Sequence, residues 1–230
     1  MQEIEKKINL LREMKTEKIH HFHYSHLSKI PFKAHSFMEV MNLRMIDFSE
    51  SAELLIKNNH IIPSLPLIRA LFENIAITNR VVASVEESLL NNKLDENFDE
   101  LISKILFGTK IEEADEIPAI NILTQIDKLD KNYSGLRKFY DSLSEFVHPN
   151  SDGVIGSYSE LHEDKNYTEI FKVFTVDYPV YKWIESCFIL CLDIFLDFAN
   201  RIRINMRSFT ILCEHELEIK QLGQSKGEKK

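Results

Sequence analysis

The sequence predicts an all-α fold: a helical bundle of about seven helices with one irregular loop or short hairpin insertion at about 149–178. Three observations carry that expectation. Gly and Pro supply 12 of the 230 residues, under half of the roughly 12% an average globular chain carries, so tight turns are few and elements are long. Apolar residues recur at spacings of three and four along most of the chain, the period of a helix with one buried face. Hydrophobic residues make up 44% of the chain and Cys only 3 positions, which excludes collagen-like, disordered and disulfide-scaffold classes. Sandwiches, propellers and Rossmann-like folds need more turns or Gly-rich loops than this chain contains.

Residues 2–18 read as a charged amphipathic helix with Ile4, Ile8, Leu11 and Ile19 on its apolar stripe. A His-rich link, HHFHYSHLSKIPF, follows, and Pro31 breaks the pattern. From Ala34 to about Asn59, the positions Phe37, Met41, Met45, Phe48, Ala52 and Leu55 mark a second helix, ended by Asn58, Asn59, His60 and Pro63. Ser64 as N-cap and Pro66 in the early turn start a third, from about Leu65 to Leu90, with Ile68, Leu71, Phe72, Ile75, Asn79 and Val82 inward. A short helix follows Asn97, with acids in its first turn and Gly108 after its end. The acidic linker IEEADE leads to Pro118 and a helix to about Leu129. Ser134 caps a helix from Gly135 to His148, terminated by Pro149. The loop at 149–178 holds Gly153, Gly156 and the strand-like EIFKVFTV. A last helix runs from near Pro179 to about Leu222. The domain organisation expected is an N-terminal helix and His-rich link at 1–30, a bundle domain at 31–222 and a disordered tail at 223–230.

The net charge is −8, from 28 Lys+Arg against 36 Asp+Glu. Proteins that coat duplex DNA show a basic surplus, so sequence-specific DNA binding is not expected, and any nucleic-acid site must be a local basic pocket on an acidic body. The charged N-terminus has no apolar core of the kind an export signal needs, which points to the cytoplasm and to reduced thiols. Val180 to Ala199 is long enough to span a bilayer, but Lys182, Glu185, Asp193 and Asp197 interrupt it; a buried helix and no membrane partner are expected. Cys187 and Cys191 read as core thiols.

Chemistry is concentrated in two motifs. On the helix ending at His148, the residues Arg137, Asp141, Ser144 and His148 share one face, with Leu136, Phe139, Leu143, Phe146 and Val147 opposite. A histidine at a helix C-terminus beside a polar loop suits general acid or base work, or caps the helix carbonyls. In LIRALFENIAITNR, Arg69, Glu73 and Arg80 lie along the edge of the apolar face. An Arg–Glu pair there is a structural ion pair, or it orients a guanidinium toward phosphate. With His148 as proton-transfer group, Arg69 as clamp, Glu73 as its orienter, and Ser144, Asn150 and Arg80 contacting substrate, the set suits metal-free phosphodiester chemistry. The alternative is a non-catalytic interaction or scaffold module, in which Arg69, Glu73 and His148 form a structural polar network.

Two weaker clusters remain. His20, His21, His23 and His26 form a candidate transition-metal site, with a harmless His-rich link as the alternative. Arg201, Arg203 and Arg207, with Asn200 and Asn205, form a modest basic patch suited to RNA phosphates, diluted by Glu214, Glu216 and Glu218. No P-loop, GxGxxG, nucleophile elbow, HExxH or EF-hand is present, and no cofactor is called for.

The pairing of RALFE (69–73) with SEFVHPNSDG (144–153) resembles a group of uncharacterised bacterial helical proteins. These are similar to the HEPN superfamily (higher eukaryotes and prokaryotes nucleotide-binding), which includes ribonuclease toxins and abortive-infection proteins. The resemblance covers about residues 34–155. It implies binding of RNA or nucleotides, a metal-independent ribonuclease activity of toxin or phage-defence type, and a homodimer with the site near the interface. The superfamily's signature has an Arg, four to six intervening residues and then the His; those Arg positions here are Leu143, Ser142 and Asp141, so either Arg69 substitutes from another helix or the chain lacks the ribonuclease activity.

Overall fold

A computed structural model describes residues 1–20, 22–109, 117, 119–175 and 180–227, with side chains to 219. It is all-α, with a single two-stranded sheet among the described residues. The helices are α1 (Gln2–Met14), α2 (Ile30–Lys57), α3 (Ile61–Leu90), α4 (Phe98–Phe107), α5 (Ile122–Asn132), α6 (Leu136–Val147), the three-residue α7 (Gly156–Tyr158) and α8 (Val180–Gly227). Leaving α7 aside, seven are of ten residues or more, the number the periodicity predicts. His21, the IEEADE linker, Pro118, Pro179 and the side chains of the 223–230 tail lie outside the described residues.

The ends of α2 and α3 follow one rule. Asn59 adopts φ +58°, and the His60 N–H returns to the Leu55 carbonyl at 2.8 Å. Asn92 adopts φ +48°, and the Lys93 N–H returns to Ser88 at 3.0 Å. Asparagine tolerates the left-handed conformation that usually selects glycine, so these helices close with Asn in its place.

Helix starts differ more from expectation. Pro31 opens α2 instead of breaking the pattern, because the first-turn N–H groups have no intrahelical acceptor to lose. For the same reason α3 begins at Ile61, four residues before Leu65, with Pro63 inside its first turn; Ser64 donates its hydroxyl to the Ile61 carbonyl at 2.7 Å. At α6 the cap is Asp130, not Ser134. One Asp130 carboxylate oxygen accepts the N–H groups of both Gly135 and Arg137 at 2.9 Å.

The chain forms two compact units: Met1–Met14, Leu43–Ala76 and Leu123–Phe195, and Lys15–Asn42, Ile77–Ile122 and Leu196–Lys230. In the first, Ile4, Ile8 and Leu11 of α1 are fully buried, each contributing about 1.5–3 kcal/mol. Ion pairs hold α1 in place: the Met1 amino group on Glu185, Lys7 on Asp193, and Arg12 on Glu50. In the second, Phe98 of α4 packs on Phe209 of α8 with ring centroids 5.1 Å apart. Cys187, Cys191 and Cys213 are buried and unpaired, and burial pushes the Cys187 and Cys213 thiols up to about 12.

Burial matches the α3 stripe residue by residue, Asn79 included. On α2 the buried face is displaced by about one position: Phe37, Met45 and Ala52 are buried as expected, but Met41, Phe48 and Leu55 are only half-buried, and Asn42, Ile46, Ser49, Glu53 and Ile56 are buried instead. The insertion after α6 holds a π-helical turn (Ser151–Ile155), α7 and a hairpin of β1 (Ser159–His162) with β2 (Tyr167–Ile170). The strand-like segment at 169–176 thus contributes only its first two residues to β2; left-handed Asn166 turns the chain earlier.

Asp130→Ala removes the acceptor for two backbone donors at the start of α6. It should lower stability by about 1–2 kcal/mol in urea titrations, whereas Ser134→Ala should change little.

Candidate functional site

In the first unit, Arg69 and Glu73 stand one turn apart on α3, with Nη2 3.5 Å from Oε1. Tyr140 of α6, buried beside Leu136 and Leu143, completes the group. Its hydroxyl donates to Glu73 at 3.0 Å, and the Arg69 guanidinium lies over its ring, 5.2 Å from the centroid. Burial pushes the Tyr140 phenol up, so it stays a neutral donor. The Arg69 Nε is buried with no hydrogen-bond partner among the described residues.

His148 does not join this group through any hydrogen bond among the described residues. It sits eight residues beyond Tyr140, about 12 Å of helical rise, and its side chain is exposed. Its backbone is what the structure uses. The N–H closes α6 on the Ser144 carbonyl, and a Cβ added at Gly153 would stand 2.0 Å from the His148 oxygen, so only glycine fits there. Ser144 turns its hydroxyl back onto the Tyr140 carbonyl at 2.9 Å. Asn150 accepts from the Gly153 N–H at 3.0 Å and donates to Glu145. Arg137 is held by Asp141 and Asp127. Arg80 lies three turns beyond Arg69 on α3 and lines a cleft of about 490 Å³ with Glu87, Asp95 and Glu96.

The second unit assembles a site from the two clusters that looked weakest. A cleft of about 780 Å³ is lined by Thr16, Lys18, His20, His23 and Tyr24 of the link, His35 of α2, and Arg203, Met206, Arg207 and Glu214 of α8, among others. The link is ordered by its serines: Ser25 accepts the Leu27 and Ser28 N–H groups at 3.0 and 2.9 Å, and Ser28 accepts that of Ile30 as α2 begins. Arg203 and Arg207 are one turn apart and exposed. Arg201 is not available to the cleft. It forks onto both oxygens of Glu86, at 2.8 and 2.5 Å, and reaches Asp197. His26 stacks on Phe22, and among the described residues no three His, Cys, Asp or Glu converge on a metal position.

One of the lining residues is a half-buried imidazole, His35. The Thr16 N–H donates to Glu39 Oε2 at 2.8 Å, and Glu39 Oε1 stands 3.6 Å from His35 Nε2. The His35 ring packs against Tyr24, with centroids 4.9 Å apart. Burial pulls His35 below its ordinary value, Glu39 opposes this, and the positive Arg203 reinforces it. Burial thus favours the neutral form of His35, with Arg203 lining the same cleft. Compared with protein-family models, curated proteins and solved structures, the chain matches none.

Two outcomes follow. A histidine depressed in the folded state takes up its proton more readily when unfolded, so its contribution to stability is present above about pH 6.5 and is lost as pH falls below it. The melting temperature of wild type should therefore drop more between pH 7 and 5.5 than that of His35→Gln. Tyr140→Phe should cost about 1.5–2 kcal/mol of unfolding free energy, by removing one hydrogen bond to a charged group.

Proposed function

We propose that this chain is a HEPN-like helical protein that binds RNA or nucleotides, and that the cleft formed by the link, α2 and α8 is where it does so. The observation that carries this reading is the gathering of Lys18, Arg203 and Arg207 with His20, His23 and His35 around one cavity, in a chain whose net charge is −8. Guanidinium forks match phosphate oxygens, and aromatic rings offer faces for bases. Lys18 and Arg207 have no carboxylate partner among the described residues.

A metal-independent ribonuclease of toxin or phage-defence type needs a proton acceptor and a phosphate clamp in one place. His35 and Arg203 line one cleft and would meet that need, whereas His148 and Arg69 line no common cavity among those described. The reading places the protein in the cytoplasm, with no membrane partner; α3, the one helix among the described residues long and apolar enough to cross a bilayer, has most of that stretch buried. Homodimerisation is part of the HEPN-like reading.

A second reading rests on the Tyr140–Glu73–Arg69 contacts. These form a packed polar network of the kind a non-catalytic interaction module uses to fix its helices.

Fluorescence anisotropy with a single-stranded RNA tests the binding site. Three phosphate contacts give a slope of about −2 for log K against log salt, at roughly 0.7 per contact. Arg203→Ala/Arg207→Ala should flatten that slope to about −0.7. Cleavage of RNA in EDTA, lost in His35→Ala and kept in His148→Ala, would support the catalytic version. The opposite pattern would move the site to α6, and wild-type protein inert in both assays would refute the RNA reading.

A further inference from the structure

The hairpin after α6 leaves one edge and two unlike faces in solvent. β2 (Tyr167–Ile170) is exposed along its whole length, whereas β1 (Ser159–His162) lies against the π-helical turn at Ser151–Ile155. The Phe171 N–H donates to the Tyr158 carbonyl at 3.1 Å. In the antiparallel register that follows, Glu160 with Glu169 and His162 with Tyr167 are the pairs that exchange backbone hydrogen bonds. Thr168 and Ile170 alternate with them, so their N–H and C=O groups point away from β1, along the outer edge. A two-stranded hairpin is marginal by itself, and an open edge is a template for a further strand.

The side chains divide by face. Alternation puts Leu161 and Ile170 on one side, with Ser159 and Thr168. Leu161 and Ile170 are 62% and 77% exposed, so this side is apolar and uncovered. The other side holds Glu160, Glu169, His162 and Tyr167. Glu160 stands directly opposite Glu169, and like charges in that position destabilise a strand pair. His162 Nε2 is 3.4 Å from Glu169, but among the described residues no Lys or Arg pairs with either carboxylate. One occupant of the edge can answer all three features, if it brings peptide groups, apolar side chains and cations. A second copy does not: pairing β2 antiparallel with another β2 puts a further Glu169 on the acidic side.

We propose that the outer edge of β2 captures an extended segment of a partner protein in which Lys or Arg alternates with apolar residues. Its backbone bonds to Thr168 and Ile170, its cations lie beside Glu169 and Glu160, and its apolar side chains extend the side of Leu161 and Ile170. Strand addition takes affinity from main-chain hydrogen bonds and specificity from alternate side chains. The opposed carboxylates, a cost to the isolated hairpin, become its means of selecting a basic strand. Capture uses no residue that lines the cleft, so it is independent of the RNA reading.

Fluorescence anisotropy on the full chain tests this with three labelled peptides of equal length. One alternates Lys and Val, one has the same residues in a Lys block and a Val block, and one alternates Glu and Val. The alternating Lys–Val peptide should bind at least ten-fold tighter than either of the others. Glu160→Gln/Glu169→Gln should weaken it at least ten-fold without lowering the melting temperature, because a repulsion is removed. Thr168→Pro deletes an outward N–H that the hairpin does not use. It should weaken the peptide as much, with the circular dichroism spectrum unchanged. Equal binding of the block and alternating peptides would overturn strand addition in favour of charge attraction alone. Binding that survives Thr168→Pro would overturn the edge. Sedimentation showing a peptide-free dimer that Thr168→Pro dissociates would overturn the choice of occupant in favour of a second copy. Absence of binding by all three peptides would overturn the proposal outright.

Discussion

Long helices built with little glycine have to dispose of their terminal carbonyls and amides by other means, and that constraint shapes the whole structure. Every helix leaves four N–H and four C=O groups without intrahelical partners. Here Asn59 and Asn92 take the left-handed turn at the ends of α2 and α3, Asn166 takes it in the hairpin, and Gly135 is the one glycine with positive φ among the described residues. Starts are served by Asp130, which accepts two N–H groups at α6, and by prolines, which have no N–H to leave unpaired, in the first turns of α2 and α3. Because these ends close locally, α2, α3 and α8 reach 28, 30 and 48 residues. Such lengths let residues far apart in sequence meet along a helix face.

How much of this was legible depended on range. The α3 stripe was readable because a helix period lies within one segment, and every residue assigned inward is buried. Asn59 and His60 ended α2 as the local chemistry suggested. The α6 cap was not readable: Ser134 is the conventional choice by proximity, yet Asp130 reaches across from the end of α5 with a stronger, charged acceptor. Tyr140 was missed for a different reason. A phenol counts as neither clearly apolar nor clearly polar, so spacing assigned Phe139, Phe146 and Val147 to the core. Tyr140 is the residue buried with Leu136 and Leu143, its hydroxyl satisfied by Glu73.

The cleft lies at the far end of that scale. Its two halves, residues 16–35 and 203–214, stand some 170 positions apart, and each alone had a bland explanation: a His-rich link and a helix face diluted by acids. No local pattern states that they share a cavity. A usable signal did exist in the charge balance. An acidic chain that keeps Arg203 and Arg207 within one turn of each other, beside an Arg201 matched by Glu86, concentrates cations on one stretch of α8.

Electrostatics then explains why the half-buried imidazole of the cleft favours its neutral form. Lining a pocket with cations lowers the affinity of each further group for a proton, and burial lowers it again. Glu39 partly offsets both effects for His35, while its second oxygen is fixed by the Thr16 N–H. The same carboxylate therefore lies 3.6 Å from the ring and anchors the link through the Thr16 N–H. Binding an anion at Arg203 would cancel the positive field that helps to hold His35 neutral, drawing the imidazole toward protonation. Such an anion and the His35 proton would then be coupled through one guanidinium, each favouring the other.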